Sequence, residues 1–171
     1  MYGELGMKFA SIIFVAALAL VLQGGFAAAH ATAISGHCAG TTLTEFISSD
    51  VHDSTNSTSF VNLTDAKLSF TTSASGCVII TFSGVAVVLP VSGSYQYLNV
   101  RTLLDRHSDC APGNNSNVFL ATGDVEPTSA NSITRVCKNV APGAHTLQVQ
   151  YRSTNGGYVQ ISGHVLTVMH N

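Results

Sequence analysis

Apolar and polar residues alternate with period two along most of the second half of the chain, the pattern of strands with one face in a core and the other in water. Near the C-terminal end Leu147, Val149 and Tyr151 alternate with Thr146, Gln148, Gln150 and Arg152. The segment Ser153 to Gly157 follows, and its Asn155-Gly156-Gly157 core can supply the positive φ angles of a reversal. Val159 and Ile161 then resume the apolar side of a second strand, so the pair predicts a β-hairpin that closes a sheet. Earlier, Ala66, Leu68 and Phe70 alternate with Lys67, Ser69 and Thr71, another strand with one wet face.

The run from Cys77 to Leu89 is rich in β-branched residues, which favours strand over buried helix. Within it Val78, Ile80 and Phe82 share one parity and Val85, Val87 and Leu89 the other, which predicts a bulge or bend at Gly84. A like shift, from Val159 and Ile161 to Leu166 and Val168, predicts a second one across Ser162-Gly163-His164. Between these runs, Tyr95 to Asp105 reads as a strand with Leu98, Val100 and Leu104 on one face and Tyr97, Asn99, Arg101 and Leu103 on the other. Val118 to Ala121 and Ser132 to Lys138 read as shorter strands, and Thr41 to Ile47 as a first strand or an irregular arm. Ser73 to Gly76, Pro90 to Ser94 and Val140 to Gly143 read as turns, while Asp50 to Ser59 and Arg106 to Asn117 read as loops. Seven to nine strands in about 110 residues, with no amphipathic helix, indicate an all-β chain folded as a single antiparallel β-sandwich or a barrel. No fixed-period repeat suggests a propeller or solenoid.

The start of the chain follows a different pattern. Met7-Lys8 precedes an almost unbroken apolar run from Phe9 to Leu22, and Ala29-His30-Ala31 offers a small-x-small cleavage site, the layout of a secretory signal peptide. The run is short for a bilayer span, which takes about 20 residues, so no membrane span is expected after cleavage. The expected organisation is a signal peptide over 1–31, with Met7 a candidate true start, an N-terminal arm and loop over 32–59, and a β-sandwich domain over 60–171. A secreted, periplasmic or extracellular location follows.

That location changes how the cysteines are read. All four, Cys38, Cys77, Cys110 and Cys137, lie beyond the cleavage site, and an even count in an exported chain implies disulfides. Of three connectivities, Cys38 with Cys77 and Cys110 with Cys137 is favoured because it joins sequence neighbours. Zinc is disfavoured, since no Cys-x-x-Cys or His-x-x-x-His spacing occurs. Seven Lys and Arg against nine Asp and Glu, without a run of basic residues, argue against a nucleic-acid partner.

Candidate chemistry is sparse. Asp50, Asp53 and Asn56 invite a calcium reading, but the alternation, central glycine and closing glutamate of an EF-hand loop are missing. No cofactor is expected. His37, His52, His107, His145, His164 and His170 are scattered, and no Gly-x-Ser-x-Gly elbow occurs, so the chain is not expected to be an enzyme. His145, just after the Pro142-Gly143 turn, is expected to pack the start of its strand. Arg106-His107-Ser108-Asp109 is the most reactive-looking patch, read as a solvated loop beside a disulfide. The polar set Gln148, Gln150, Arg152 and Gln160 forms a possible surface that binds sugar hydroxyls through its amides, or else an ordinary wet face. Against a sugar site stands the absence of Trp, because carbohydrate modules usually present aromatic platforms. Asn-x-Ser/Thr sequons occur at Asn56, Asn62 and Asn114.

The string Ala141-Pro142-Gly143-Ala144-His145-Thr146-Leu147-Gln148-Val149-Gln150-Tyr151-Arg152-Ser153, with Gly156-Gly157 and the terminal Leu166-Thr167-Val168, resembles the closing strands of bacterial secreted or phage-associated jelly-roll domains. These are similar to the complement and tumour-necrosis-factor-like type of sandwich. The resemblance implies a jelly-roll-like, non-catalytic surface or adhesion-type module, often a homo-trimer, and it brings no catalytic residues. The readings carried forward are surface binding or assembly with an unknown protein or glycan ligand, a carbohydrate-binding module as the alternative, and a small hydrolase last.

Overall fold

The computed structural model describes residues 43–89, 94–107, 110–112, 118–122 and 128–171. The expected signal peptide, Cys38, Ser108, Asp109 and Asn114 lie outside the described residues.

Among the described residues there are nine strands: β1 (Leu43–Ser49), β2 (Asp53–Thr55), β3 (Val61–Thr72), β4 (Gly76–Val88), β5 (Gln96–Leu104), β6 (Val118–Thr122), β7 (Thr128–Val140), β8 (Gly143–Ser153) and β9 (Val159–His170). One sheet runs β1-β9-β4-β7 with β2 also on β9, and the other runs β3-β8-β5-β6. All pairings are antiparallel. β1 and β2 meet successive parts of β9, residues 164–170 and 159–161, so they act as one interrupted edge strand. The pairs β1 with β9, β3 with β8, β4 with β7 and β5 with β6 are nested in sequence. A long folded hairpin rolled into two packed sheets has this order, and it is that of a jelly roll.

The inward residues follow the period-two pattern. Ile80, Phe82, Val88, Ile161, Leu166 and Val168 from one sheet meet Leu98, Val100, Leu147, Val149 and Tyr151 from the other, and all are essentially inaccessible to solvent. Of the two readings of Thr41 to Ile47 the strand holds, as β1, and β2 also joins the sheet although it falls in the stretch read as a loop, so the sandwich begins before the expected residue 60. Pairing with β9 and the bond from the Thr64 amide to the Asp53 carboxylate (2.8 Å) hold this polar segment extended. β7 also starts earlier than expected, at Thr128, where it pairs with β4 from Val87 onward.

Two expectations are corrected. β8 and β9 do not form a hairpin: β8 lies between β3 and β5 in one sheet, and β9 between β1 and β4 in the other. The turn at Asn155-Gly156-Gly157, with Gly156 at φ 75°, carries the chain across the sandwich instead. Bonds from Ser153 N to Ser57 O (2.9 Å) and from Thr154 N to Tyr97 O (3.0 Å) tie that crossing down. A hairpin and a crossing need the same turn chemistry between two alternating strands, so local pattern does not separate them.

The second correction concerns Gly84. β4 keeps one parity throughout: Val78, Ile80, Phe82, Gly84, Ala86 and Val88 all face inward, and Val85 is exposed. The irregularity between Ser83 and Val85 belongs to β9, which uses an extra residue there, and Gly163 takes φ 51°. A Cβ on Gly84 would lie 3.2 Å from the Cβ of His164 and 3.3 Å from Cγ2 of Ile161, so the glycine provides room for the bulged strand. The bulge expected at Ser162-Gly163-His164 is present, and it switches the buried set from Val159 and Ile161 to His164, Leu166 and Val168.

Cys110 and Cys137 form a disulfide with a Cα–Cα distance of 4.2 Å, as expected. Cys77 is also disulfide-bonded; its expected partner, Cys38, lies outside the described residues. Among the described residues no helix is long and apolar enough to cross a membrane.

Candidate functional site

The outer face of the β3-β8-β5-β6 sheet holds most of the polar side chains singled out in the sequence. On β8, Leu147, Val149 and Tyr151 point inward, which turns Thr146, Gln148, Gln150 and Arg152 outward. The register then sets their neighbours. Arg101 on β5 and Asn62 on β3 lie opposite Gln150, Leu103 and Lys67 lie opposite Gln148, and Asn99 lies opposite Arg152. Gln150 links its row: its Oε1 accepts from Arg101 Nε (2.7 Å) and its Nε2 donates to Asn62 Oδ1 (2.8 Å). Gln148 has a different task. Its Nε2 donates to the carbonyls of Leu63 and Ala66 (both 3.3 Å), filling the wide bulge of β3 between Asn62 and Lys67, where Asp65 adopts φ 54°.

Phe60 anchors one end of this face. The Arg101 guanidinium lies 4.1 Å from its ring centroid and that of Arg152 lies 4.6 Å from it. Burial pushes the Arg101 pKa below its usual value, and the Arg152 charge pushes it the same way. Holding two like charges about one ring is tolerable because the π face attracts each guanidinium.

At the other end Leu104, Asp105, Arg106 and His107 form a tight turn. Leu104 N donates to His107 O (3.0 Å) and His107 N to Leu104 O (2.8 Å), with Asp105 at φ 50° and Arg106 at φ 70°. Neither residue is glycine, so the turn is strained and needs support. The Asp105 carboxylate provides it, accepting from Thr146 N (2.8 Å) and lying 2.7 Å from His145 Nδ1. Burial raises the Asp105 carboxyl, but the bonds from His145 and Thr146, with the charges of His145 and His107, outweigh that and hold it below its ordinary value.

Between these ends lies a groove of about 770 Å³ lined by Asn62, Lys67, Leu103, Gln148 and Gln150, and closed by Asp105, Arg106 and Thr146. Among the described residues Asp105 is the only acid in that lining. The structure thus gathers Gln148, Gln150 and Arg152 on one sheet face. It does not bring Gln160 to them: that residue is on β9 in the other sheet, bonded to Tyr158 and to His52. Sequence reasoning missed Phe60, Asn62, Lys67 and Arg101 as groove residues, and it singled out Arg106 only within the loop patch Arg106-His107-Ser108-Asp109. Arg101 was placed on the wet side of its strand, but only the cross-strand register puts it beside Gln150.

Asp105, His145 and Thr72 line up like a catalytic relay, with His145 Nε2 3.1 Å from Thr72 Oγ1. The hydroxyl is unsuited to attack. Thr72 is buried, its Oγ1 donates to Ala141 O (2.8 Å), and the same carbonyl lies 2.9 Å from His145 Nε2. His145 packs on Phe70, whose other neighbour is His170, with ring centroids 5.4 and 4.9 Å apart. It therefore packs the start of β8, as its position after Pro142-Gly143 suggests. His164 and His170 are likewise buried, on β9; His170 Nε2 lies 3.2 Å from Glu45 Oε1. Asp53, from the calcium-like loop, accepts from Thr64 N and from the Tyr151 hydroxyl.

The arrangement defines the protein's class: a jelly-roll β-sandwich with a polar, cation-bearing groove on the outer face of one sheet. No protein-family model matches the chain, and no curated protein matches it either.

Proposed function

We propose that the protein is a secreted, non-catalytic binding module that takes a glycan ligand in the groove of the β3-β8-β5-β6 sheet. The observation that carries this reading is the groove itself, with donors and acceptors from three paired strands held by their own hydrogen bonds. Asn62, Gln148 and Gln150 present amides that match sugar hydroxyls, which are donors and acceptors at once. Sites on paired strands hold their geometry more tightly than sites on loops. The disulfides are compatible with an oxidising compartment. The buried Thr72 hydroxyl supports a structural role for the Asp105-His145 pair over a hydrolytic one.

A panel of soluble oligosaccharides titrated into the purified protein tests the proposal. Binding to at least one sugar, weakened at least tenfold by Gln150→Ala with the melting temperature retained, is expected. No binding across the panel, or equal binding by the variant, would contradict it.

Assembly is the second reading, favoured by the exposed Phe46 on β1, 69% accessible, and by Val165 and Met169 on β9. Light scattering that returns three chain masses would support a homo-trimer, and one chain mass would remove it.

A further inference from the structure

We infer that the groove selects an anionic glycan, a linear sugar chain bearing carboxylates or sulfates, over a neutral one. This rests on the reading of the groove as a glycan site. Lys67, Arg101, Arg106 and Arg152 are four of the chain's seven Lys and Arg, and the fold brings them to one sheet face although they are far apart in sequence. The chain's weak negative net charge, −2, conceals this concentration. Asp105, whose carboxylate is hydrogen-bonded to His145 and the Thr146 amide, offsets only one of these four charges.

The cations divide into two kinds. Arg101 and Arg152 are fixed against Phe60 and hydrogen-bonded to Gln150 and to the Thr58 carbonyl (3.4 Å). Lys67 and Arg106 are exposed and make no hydrogen bond or ion pair among the described residues. A strained turn that presents an unpaired guanidinium beside a groove is the kind of local cost retained at binding sites. The outward positions from Thr146 to Arg152 cover about 20 Å along β8, and the flanking strands make the strip about 10 Å wide. Charges spread at intervals over such a strip, with amides between them, complement a polymer whose negative charges are also spaced. A groove with mostly one sign of charge between low-dielectric walls attracts such a ligand over a distance and loses that attraction as salt screens it.

Nucleic acid fits less well. Single-stranded nucleic acid is bound largely by stacking bases on aromatic rings, and Phe60 at this face is already engaged by two guanidiniums. Among the described residues the groove lining itself holds no aromatic ring.

Titration calorimetry of the purified protein tests the inference with four probes: a hexasaccharide of galacturonic acid, its fully methyl-esterified form, a heparin hexasaccharide, and a single-stranded oligonucleotide of equal charge. Binding of one or both acidic sugars at least tenfold tighter than the ester is expected, with the advantage falling in high salt. Lys67→Ala with Arg106→Ala is expected to remove that advantage and leave weak, salt-insensitive binding to the ester. Both side chains are solvent-exposed, so an unchanged melting temperature shows that the fold is intact. Equal affinity for acid and ester would overturn the anionic preference and keep the glycan reading. Tighter binding of the oligonucleotide than of any sugar, or no binding of any probe, would overturn both.

Discussion

One carboxylate, Asp105, joins three levels of the structure: it holds a turn whose two central residues have positive φ, it bonds the backbone of β8, and it orients His145. Its pKa is lowered from an ordinary value of 3.8, since the bonds from His145 and Thr146, with the charges of His145 and His107, outweigh burial, which acts the other way. Asp53 behaves similarly, with burial raising its pKa and bonds from Thr64, Tyr151 and Ser54 lowering it further. A carboxyl whose folded pKa is depressed adds stability that is present in full above its unfolded pKa and lost as pH falls through the folded one. Chemical unfolding measured from pH 6 downward should therefore show stability falling below about pH 4. Asp105→Asn keeps an acceptor for the Thr146 amide and removes the titration, so that variant should be less stable at pH 6 with a shallower acid slope. An unchanged slope would contradict this account of Asp105. The Tyr151 hydroxyl, pushed well above its usual pKa by burial and by the Asp53 carboxylate, remains a neutral donor. Tyr151→Phe removes that donor and should cost about 1 kcal/mol.

At the scale of single elements, β9 is the strand on which local irregularity has the largest effect. Its extra residue beside Gly84 turns His164, Leu166, Val168 and His170 inward after Val159 and Ile161 have already faced the core. Gly163→Val should destabilise by about 1–2 kcal/mol, because a β-branched residue is forced into a left-handed conformation, while Gly163→Asn should cost less. Gly84→Ala should cost about 1–3 kcal/mol, since the new Cβ meets the His164 backbone segment, and urea unfolding of the three variants orders these effects. The bulge at Gly163 was legible because hydrophobic parity breaks across a glycine. At Gly84 the same sign misled. Val85 and Val87 are apolar residues on the outer face of a strand whose inward positions there are the small Gly84 and Ala86 and only then Val88, so the apolar count points the wrong way. β-branched content follows strand propensity as well as burial, and composition alone does not separate the two.

Across the whole molecule, alternation and turn spacing were enough for an antiparallel sandwich, because the inward faces are mostly apolar. Which strands neighbour one another was not legible: β8 and β9 carry the signature of a hairpin and lie in different sheets. The same gap hid half of the groove. Gln148, Gln150 and Arg152 share one strand and were visible together, whereas Lys67 and Arg106 join them only through register and a turn. The crosslink from Cys110 to Cys137 spans 27 residues, and on the chain-entropy argument it adds about 3.5 kcal/mol. Replacing both cysteines by alanine should lower the unfolding free energy by about that amount, and a loss under about 1 kcal/mol would show that the unfolded chain is already constrained there.

The claim that the outer face of the β3-β8-β5-β6 sheet is the binding surface is tested most directly by amide chemical-shift mapping of the labelled protein titrated in turn with the galacturonic acid and the heparin hexasaccharides. Shifts concentrated on Asn62, Lys67, Arg101, Leu103, Arg106, Gln148 and Gln150, and absent from β1, β4 and the outward residues of β9, are the predicted result. Shifts centred on Phe46, Val165 and Met169, or none with either sugar at saturation, would contradict it.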